Sequence, residues 1–292
     1  MSLAGYSDHA AVSSIRYEQP ALSAEDPITF SPKGLWTPII DPDNIAYRSL
    51  FQPFNLNQYI YPRPPIDMGL TAPIHGGAPN VLRMPLKFPD TEYRVPRELE
   101  ALMPLIQRVA EYEAFICNDN KINHNRTFCH ITSDFSNVQA GEYHRYPGFH
   151  GDGIQGTKLT PKVYVEHSYI VTSAPPTEFC LQPFFLKHLD EAKHNYFLEF
   201  DRQAKEANVY GSLPNHLYLI DPYMVHRTPK IKKRTSRWFL RITYAFTELQ
   251  HPKNTINPLF DGQEYNKRVD IRENLMANEF EVPWHLYGLS KG

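Results

Sequence analysis

Cysteine is scarce. Three residues, Cys117, Cys129 and Cys180, occur in 292, and no two stand as Cys-x-x-Cys. An odd number of widely spaced thiols argues against a disulfide framework and points to a reducing, cytoplasmic setting. Long apolar runs are missing as well. No stretch approaches the ~18 residues needed to span a bilayer, so no membrane partner is expected. Met1 to Ile15 lacks a basic start followed by an apolar run, and no secretion signal is read there. Nor is there an excess of charge of one sign. The formal net charge is −2, which gives little bulk attraction to nucleic acid or to an anionic membrane. No internal repeat or linker-like segment interrupts the chain, and one domain over 1–292 is expected.

Proline and aromatics are abundant instead: 26 Pro, 17 Phe, 18 Tyr and 3 Trp. Prolines punctuate loops, and aromatics favour strands and apolar pockets. The combination suits a β-rich enzyme with long connections. Residues 1–95 carry loop signals such as Pro62-Arg63-Pro64-Pro65 and His75-Gly76-Gly77-Ala78-Pro79. They read as an irregular region with short strands wrapped around the core. Helical spacing of Leu99, Leu102, Met103, Ile106, Val109, Ala110 and Ile116 predicts a helix over 96–117, which Pro104 should kink or delay unless it lies in the first turn. A second amphipathic helix is expected over 189–208. Strands are expected at 127–132, 162–171 and 216–220. The clearest strand is 237–246, where Trp238, Leu240, Ile242, Tyr244 and Phe246 alternate with Arg237, Phe239, Arg241, Thr243 and Ala245.

Two His-x-Asp triplets occur. His188-Leu189-Asp190 stands at the start of the second helical run, where an aspartate is a natural N-cap. His150-Gly151-Asp152 lies among Gly148, Gly153 and Gly156. Glycine allows close approach of backbone and ligand, and residues two apart on a strand share a face. His150 and Asp152 could therefore aim at one ion. His226 follows 76 positions later, after an apolar strand and an Asp-Pro turn. Alone it would pass for an ordinary loop histidine. With the first triplet it completes two imidazoles and one carboxylate, a set that leaves half of a metal's coordination sphere open and suits a non-haem Fe(II) oxygenase. Zinc could take the same ligands in vitro.

Arg237 lies eleven positions past His226, and Arg241 four beyond that. This arrangement resembles the Fe(II)/2-oxoglutarate-dependent dioxygenases, and its Arg-x-x-x-Arg spacing resembles the taurine dioxygenase and clavaminate synthase-like branch. The resemblance covers roughly residues 127–247. It implies a mainly β fold with flanking helices around a double-stranded β-helix (jelly roll) core at 127–247, followed by a C-terminal extension at 248–292. It implies Fe(II) on His150, Asp152 and His226, with 2-oxoglutarate held by Arg237 and with Arg241 assisting or meeting substrate; Arg234 is a less favoured substitute. It further implies consumption of O2, release of succinate and CO2, and hydroxylation of a small molecule or amino-acid derivative. Asp152 argues against the halogenase branch, which lacks the carboxylate ligand.

Other residues near these positions have two readings each. Thr243 could add a hydroxyl to the cosubstrate site or be a plain strand residue. Tyr143, His144, Tyr146 and Tyr164 could line the pocket or simply pack. Lys230, Lys232, Lys233 and Arg234 could steer an anionic substrate or form a solvated loop; no aromatic platform accompanies them, so nucleic acid is not expected. Two competing functions stay open: a non-catalytic cupin-like metal- or ligand-binding protein, and a metal-dependent isomerase or hydrolase for which His144 is the nearest additional ligand.

Overall fold

The structure is a computed structural model that describes residues 19–33, 37–72, 74, 77–145, 147–152, 166–186, 196–248 and 254–261. Eleven strands and three α-helices occur among them. In chain order they are β1 (Ile28–Phe30), α1 (Ile45–Ser49), β2 (Ile66–Leu70), β3 (Val81–Lys87), β4 (Tyr93–Val95), α2 (Met103–Asp119), β5 (Phe128–Val138), β6 (His167–Thr172), β7 (Glu178–Cys180), α3 (Tyr196–Gln203), β8 (Val209–Gly211), β9 (His216–Ile220), β10 (His226–Arg227) and β11 (Thr235–Ala245). The protein is mainly β, as expected. No described helix is long and apolar enough to cross a membrane.

Six strands form one antiparallel sheet in the order β2-β9-β6-β11-β5-β3, and three form a smaller one in the order β10-β7-β8. β11 is central. It pairs with β5 in unbroken register from Thr235↔Val138 to Ala245↔Phe128, and with β6 from Phe239↔Thr172 to Tyr244↔His167. Period-two alternation along β11 therefore sorts the whole sheet into two faces. One face carries Ile131, Tyr169, Val171, Leu240, Ile242 and Tyr244, which join Ile106, Val109 and Ala110 of α2 in the main core. The other carries His130, Thr132, Asp134 and Ser136 of β5, Ser168 and Ile170 of β6, and Arg237, Phe239, Arg241 and Thr243 of β11. That second face is polar and holds the arginines.

Local chemistry shifts several expected boundaries. The 96–117 segment is a 3-10 helix at Arg97–Leu102 followed by α2, in which Pro104 occupies the first turn, where its missing N–H costs nothing. The second amphipathic run ends earlier than expected. α3 stops at Gln203, and Val209–Gly211 is drawn into pairing with β7. Its start, with His188 and Asp190, lies outside the described residues, as do Lys162–Val165 of the expected 162–171 strand. The N-terminal region is more than a wrapping. β2 and β3 supply both edges of the large sheet, and β3 carries Pro85 where an edge strand tolerates it. Of the C-terminal extension, 254–261 is described and packs on β3. Thr255 Oγ1 accepts from Leu82 N at 3.0 Å, and Asn257 Nδ2 donates to Pro85 O at 2.7 Å.

Candidate metal and carboxylate site

His150 and His226 face each other across a short antiparallel bridge. Each backbone N–H donates to the other's carbonyl at 2.9 Å, which sets the His150-Gly151-Asp152 segment beside β10 in the small sheet. Gly151 is dictated by crowding. A Cβ there would fall on the carbonyl oxygen of Pro222 and within 2.6 Å of the Tyr59 hydroxyl. Tyr59 is fully buried and donates to that same carbonyl at 2.7 Å.

The turn before His226 is fixed from behind. Asp221 pairs with Arg63 at 2.8 Å, both side chains fully buried, and accepts from Tyr223 N at 2.8 Å. Arg63 also lies over the Tyr223 ring. Arg227, next in chain to His226, holds Glu178 and Glu206 and covers the face of Phe149, next to His150. The Phe149 N–H donates to Asp201 on α3 at 2.6 Å. Burial raises that carboxyl to about 6, against opposing pulls from the Phe149 hydrogen bond and Arg227.

One nitrogen of each ring is committed. His150 Nδ1 donates to Gly148 O and His226 Nδ1 to Met224 O, both at 2.8 Å. A carbonyl can only accept, so Nδ1 carries the hydrogen and Nε2 keeps the lone pair in each neutral ring. His150, Asp152 and His226 offer ligand atoms all within 4.8 Å of one another. Donors ~2.1 Å from a common ion stand ~3–4 Å apart, so small side-chain adjustments complete the set. Arg241 Nη1 donates to Asp152 Oδ1 at 2.9 Å, and both side chains are partly open to solvent. The structure thus brings the three expected ligands together, with Arg241 against the carboxylate.

Arg237 lies about 13 Å along β11 from Arg241 at ~3.3 Å per residue, and is 1% exposed. Its Nε donates to Pro175 O at 2.8 Å and its Nη1 to His144 Nδ1 at 2.6 Å. Nη2 is buried and has no hydrogen-bond partner among the described residues. Burial lowers this guanidinium to about 10, aided by the like charge of Arg145 and opposed by Asp134. Among the described residues no carboxylate contacts this buried cation directly, a costly arrangement unless an anion arrives from outside.

The remaining expectations divide. Thr243 sits six residues beyond Arg237 and shares its hydroxyl with Ser168 at 2.8 Å, so it joins no site with Arg237. His144 is no additional metal ligand. Both its nitrogens are engaged, Nδ1 by Arg237 and Nε2 by Asp134 at 3.0 Å. Lys230, Lys232, Lys233 and Arg234 are exposed. Tyr143 forms a bridge with Lys230, and Tyr146 and Tyr164 lie outside the described residues. Asp134, Arg145 and Pro175 were not singled out from sequence. The available signal was the polar parity of β5, where His130, Thr132, Asp134 and Ser136 recur every second residue.

Comparison with known proteins yields little. No family model matches the chain, and no curated protein matches it. Among solved structures, one titled "CytC3 with Fe(II) and alpha-ketoglutarate" aligns at a TM-score of 0.26 and 7% identity, over 50% of this chain and 53% of that one. The functional reading rests on the site residues, not on this overlap.

Proposed function

We propose that this protein is an Fe(II)- and 2-oxoglutarate-dependent oxygenase that hydroxylates a small molecule or amino-acid derivative. One observation carries the reading. Two imidazoles with committed Nδ1 atoms converge with a carboxylate on the small sheet, and that carboxylate meets Arg241 of the large-sheet face that also buries the Arg237 guanidinium. The donor set, two neutral nitrogens and one carboxylate oxygen, fits Fe(II) and leaves room for further ligands. His150, Asp152 and His226 would hold the metal, and Arg241 would orient Asp152. Arg237 would receive the distal carboxylate of 2-oxoglutarate through charge-assisted hydrogen bonds. Bound there, metal and cosubstrate would supply the oxidising chemistry. The chain's own residues fix ligand tautomers, would neutralise the distal carboxylate of the incoming cosubstrate, and bury Arg237 away from solvent.

The strand order supports a double-stranded β-helix. In that fold the small sheet, extended by the His150–His226 bridge, and the large sheet would carry the site between them. The test is spectroscopic. Anaerobic protein loaded with Fe(II) should develop a weak visible charge-transfer band on adding 2-oxoglutarate, and His226→Ala should abolish it. A wild type without the band, or a variant that keeps it, would discard the proposal. Retained metal binding without the band would favour the cupin-like binding protein instead. Succinate release across a panel of candidate substrates then addresses what is hydroxylated.

A further inference from the structure

We propose that His144 is a positioning residue for Arg237: as a neutral acceptor it aims the guanidinium so that Nη2 faces an incoming carboxylate, and Asp134 fixes the proton that makes it an acceptor. This rests on the reading of Arg237 as the anchor for the distal carboxylate of 2-oxoglutarate.

The argument is one of donors and acceptors. A guanidinium can only donate. The 2.6 Å contact between Arg237 Nη1 and His144 Nδ1 therefore requires a lone pair on Nδ1. The ring's hydrogen must then sit on Nε2, where Asp134 Oδ1 accepts it at 3.0 Å. Asp134 is held as an anion by further donors, Ser136 Oγ at 2.8 Å and Arg145 Nη1 at 3.1 Å. Burial alone would raise this carboxyl, but the His144 hydrogen bond and the charge of Arg145 outweigh it and bring it to about 2. The groups facing His144 are thus Asp134 on β5, Arg237 on β11 and Arg145 on its own loop. Burial holds the imidazole below its ordinary range against the pull of Asp134, and both arginines add to the lowering.

The placement has a consequence for selectivity. A carboxylate bound directly to Arg237 from the protein would cancel its charge and close the site. Here the nearest carboxylate among the described residues, Asp134, is one imidazole away and itself accepts from Arg145. Arg237 stays oriented without being neutralised. Its Nε is tied to Pro175 O and one Nη1 hydrogen to His144, and Nη2 has no partner among the described residues and is left to recruit. A ligand with a distal carboxylate gains from this arrangement, and a 2-oxo acid without one does not.

The experiment measures, by calorimetry on Zn(II)-loaded protein, the affinities of 2-oxoglutarate and of pyruvate, which lacks the distal carboxylate. Wild type, His144→Met and His144→Gln are compared. Glutamine can accept from Arg237 through its carbonyl and donate to Asp134 through its amide. His144→Met should weaken 2-oxoglutarate by about tenfold or more, ~1.4 kcal/mol, and leave pyruvate within about threefold, while His144→Gln restores 2-oxoglutarate to within about threefold. Equal weakening of both ligands by His144→Met, no weakening of either, or failure of glutamine to restore binding would overturn the proposal. A wild type that binds 2-oxoglutarate no better than pyruvate would instead overturn the reading of Arg237 itself. If His144→Met does not fold, 15N spectra of histidine-labelled wild type decide: hydrogen on Nε2 of His144 supports the proposal, and hydrogen on Nδ1 refutes it.

Discussion

On the core face of the large sheet, Glu113 reaches from α2 to His167 Nε2 at 2.7 Å and Tyr169 Oη at 3.0 Å, and Cys117 Sγ donates to its other oxygen at 3.3 Å. On the opposite face Asp134 meets His144 and Arg145, and His144 passes the contact on to Arg237. Both are buried carboxylate–histidine pairs, one joining α2 to β6 and the other joining β5 to the loop that follows it. They differ in what is left over. The chain itself satisfies both oxygens of Glu113, and Lys87, the buried cation on that side, spends its N–H groups on the carbonyls of His124, Asn125 and Thr127. Among the described residues of the second network, Arg145 and Arg237 accompany Asp134, and Nη2 of Arg237 is uncommitted. A buried polar group whose partners all belong to the chain is architecture. On the proposed reading, the buried guanidinium with uncommitted N–H groups is kept for a ligand, whose charge would compensate its desolvation.

The largest test of that contrast is Glu113→Ala. Removing one member of a buried pair strands the other, and the cost should be about 3–5 kcal/mol, read from urea unfolding. Zn(II) and 2-oxoglutarate affinities of the folded protein should stay within about threefold of wild type. Lost affinity with unchanged stability would erase the distinction between the faces.

Acid should separate the faces next. His130 lies on the face that carries the arginines, 2% exposed, and has no hydrogen-bond partner for Nδ1 among the described residues. Burial, with Arg83 adding, pushes it from 6.5 down to about 3. The unfolded chain takes up this proton near 6.5, the folded chain only near 3. Its contribution is therefore fully present above pH 6.5 and erodes as pH falls. Between pH 6.5 and 5 the loss should be about 2 kcal/mol. His130→Leu should flatten most of that slope, with His124 and His144, also lowered by burial, keeping the rest. Glu113 fails in a lower window. Burial would raise it, but His167 outweighs that and holds it below 4.5, so its contribution persists until pH drops beneath that value. An unchanged slope in His130→Leu would mean that the arginine-bearing face is better satisfied than this geometry implies.

What could be read in advance follows from period and crowding. The alternation in β11 is legible because both faces are committed, one to the α2 core and one to the arginines. His216–Ile220 is legible because a short apolar run closed by Asp221-Pro222 has few other fates. The Gly151 spacing was legible as permissive, but its cause, the Pro222 carbonyl and the Tyr59 hydroxyl, comes from segments far away in sequence. β2 and β3 were obscured by Gly69, Pro85 and irregular register at sheet edges. The end of α3 was hidden because Ala204 and Ala207 prolong the helical spacing, while pairing of Val209–Gly211 with β7 overrides it. Of the candidate site, the three ligands and both arginines carried a pattern. The partners of Arg237 are the loop residues His144 and Pro175, with Asp134 of β5 behind His144; spacing in a single sequence encodes such long-range contacts only as an unexplained polar parity along β5.

The smallest expected effect is also the sharpest. Arg237→Met removes the surplus cation and fills its place with an apolar chain of comparable reach. If Arg237 were structural, as Glu113 is, the substitution would cost several kcal/mol. If it is kept for a ligand, the lost contacts are one carbonyl and one imidazole, and the relief of a buried, incompletely paired charge offsets them. Unfolding in urea should then show the variant at least as stable as wild type, while 2-oxoglutarate affinity falls by about tenfold or more, ~1.4 kcal/mol. The two measurements pull apart only for a residue held at the protein's expense for something outside it. A variant that is destabilised and still binds 2-oxoglutarate normally would place Arg237 with Glu113 and shift the search for the carboxylate anchor to Arg241.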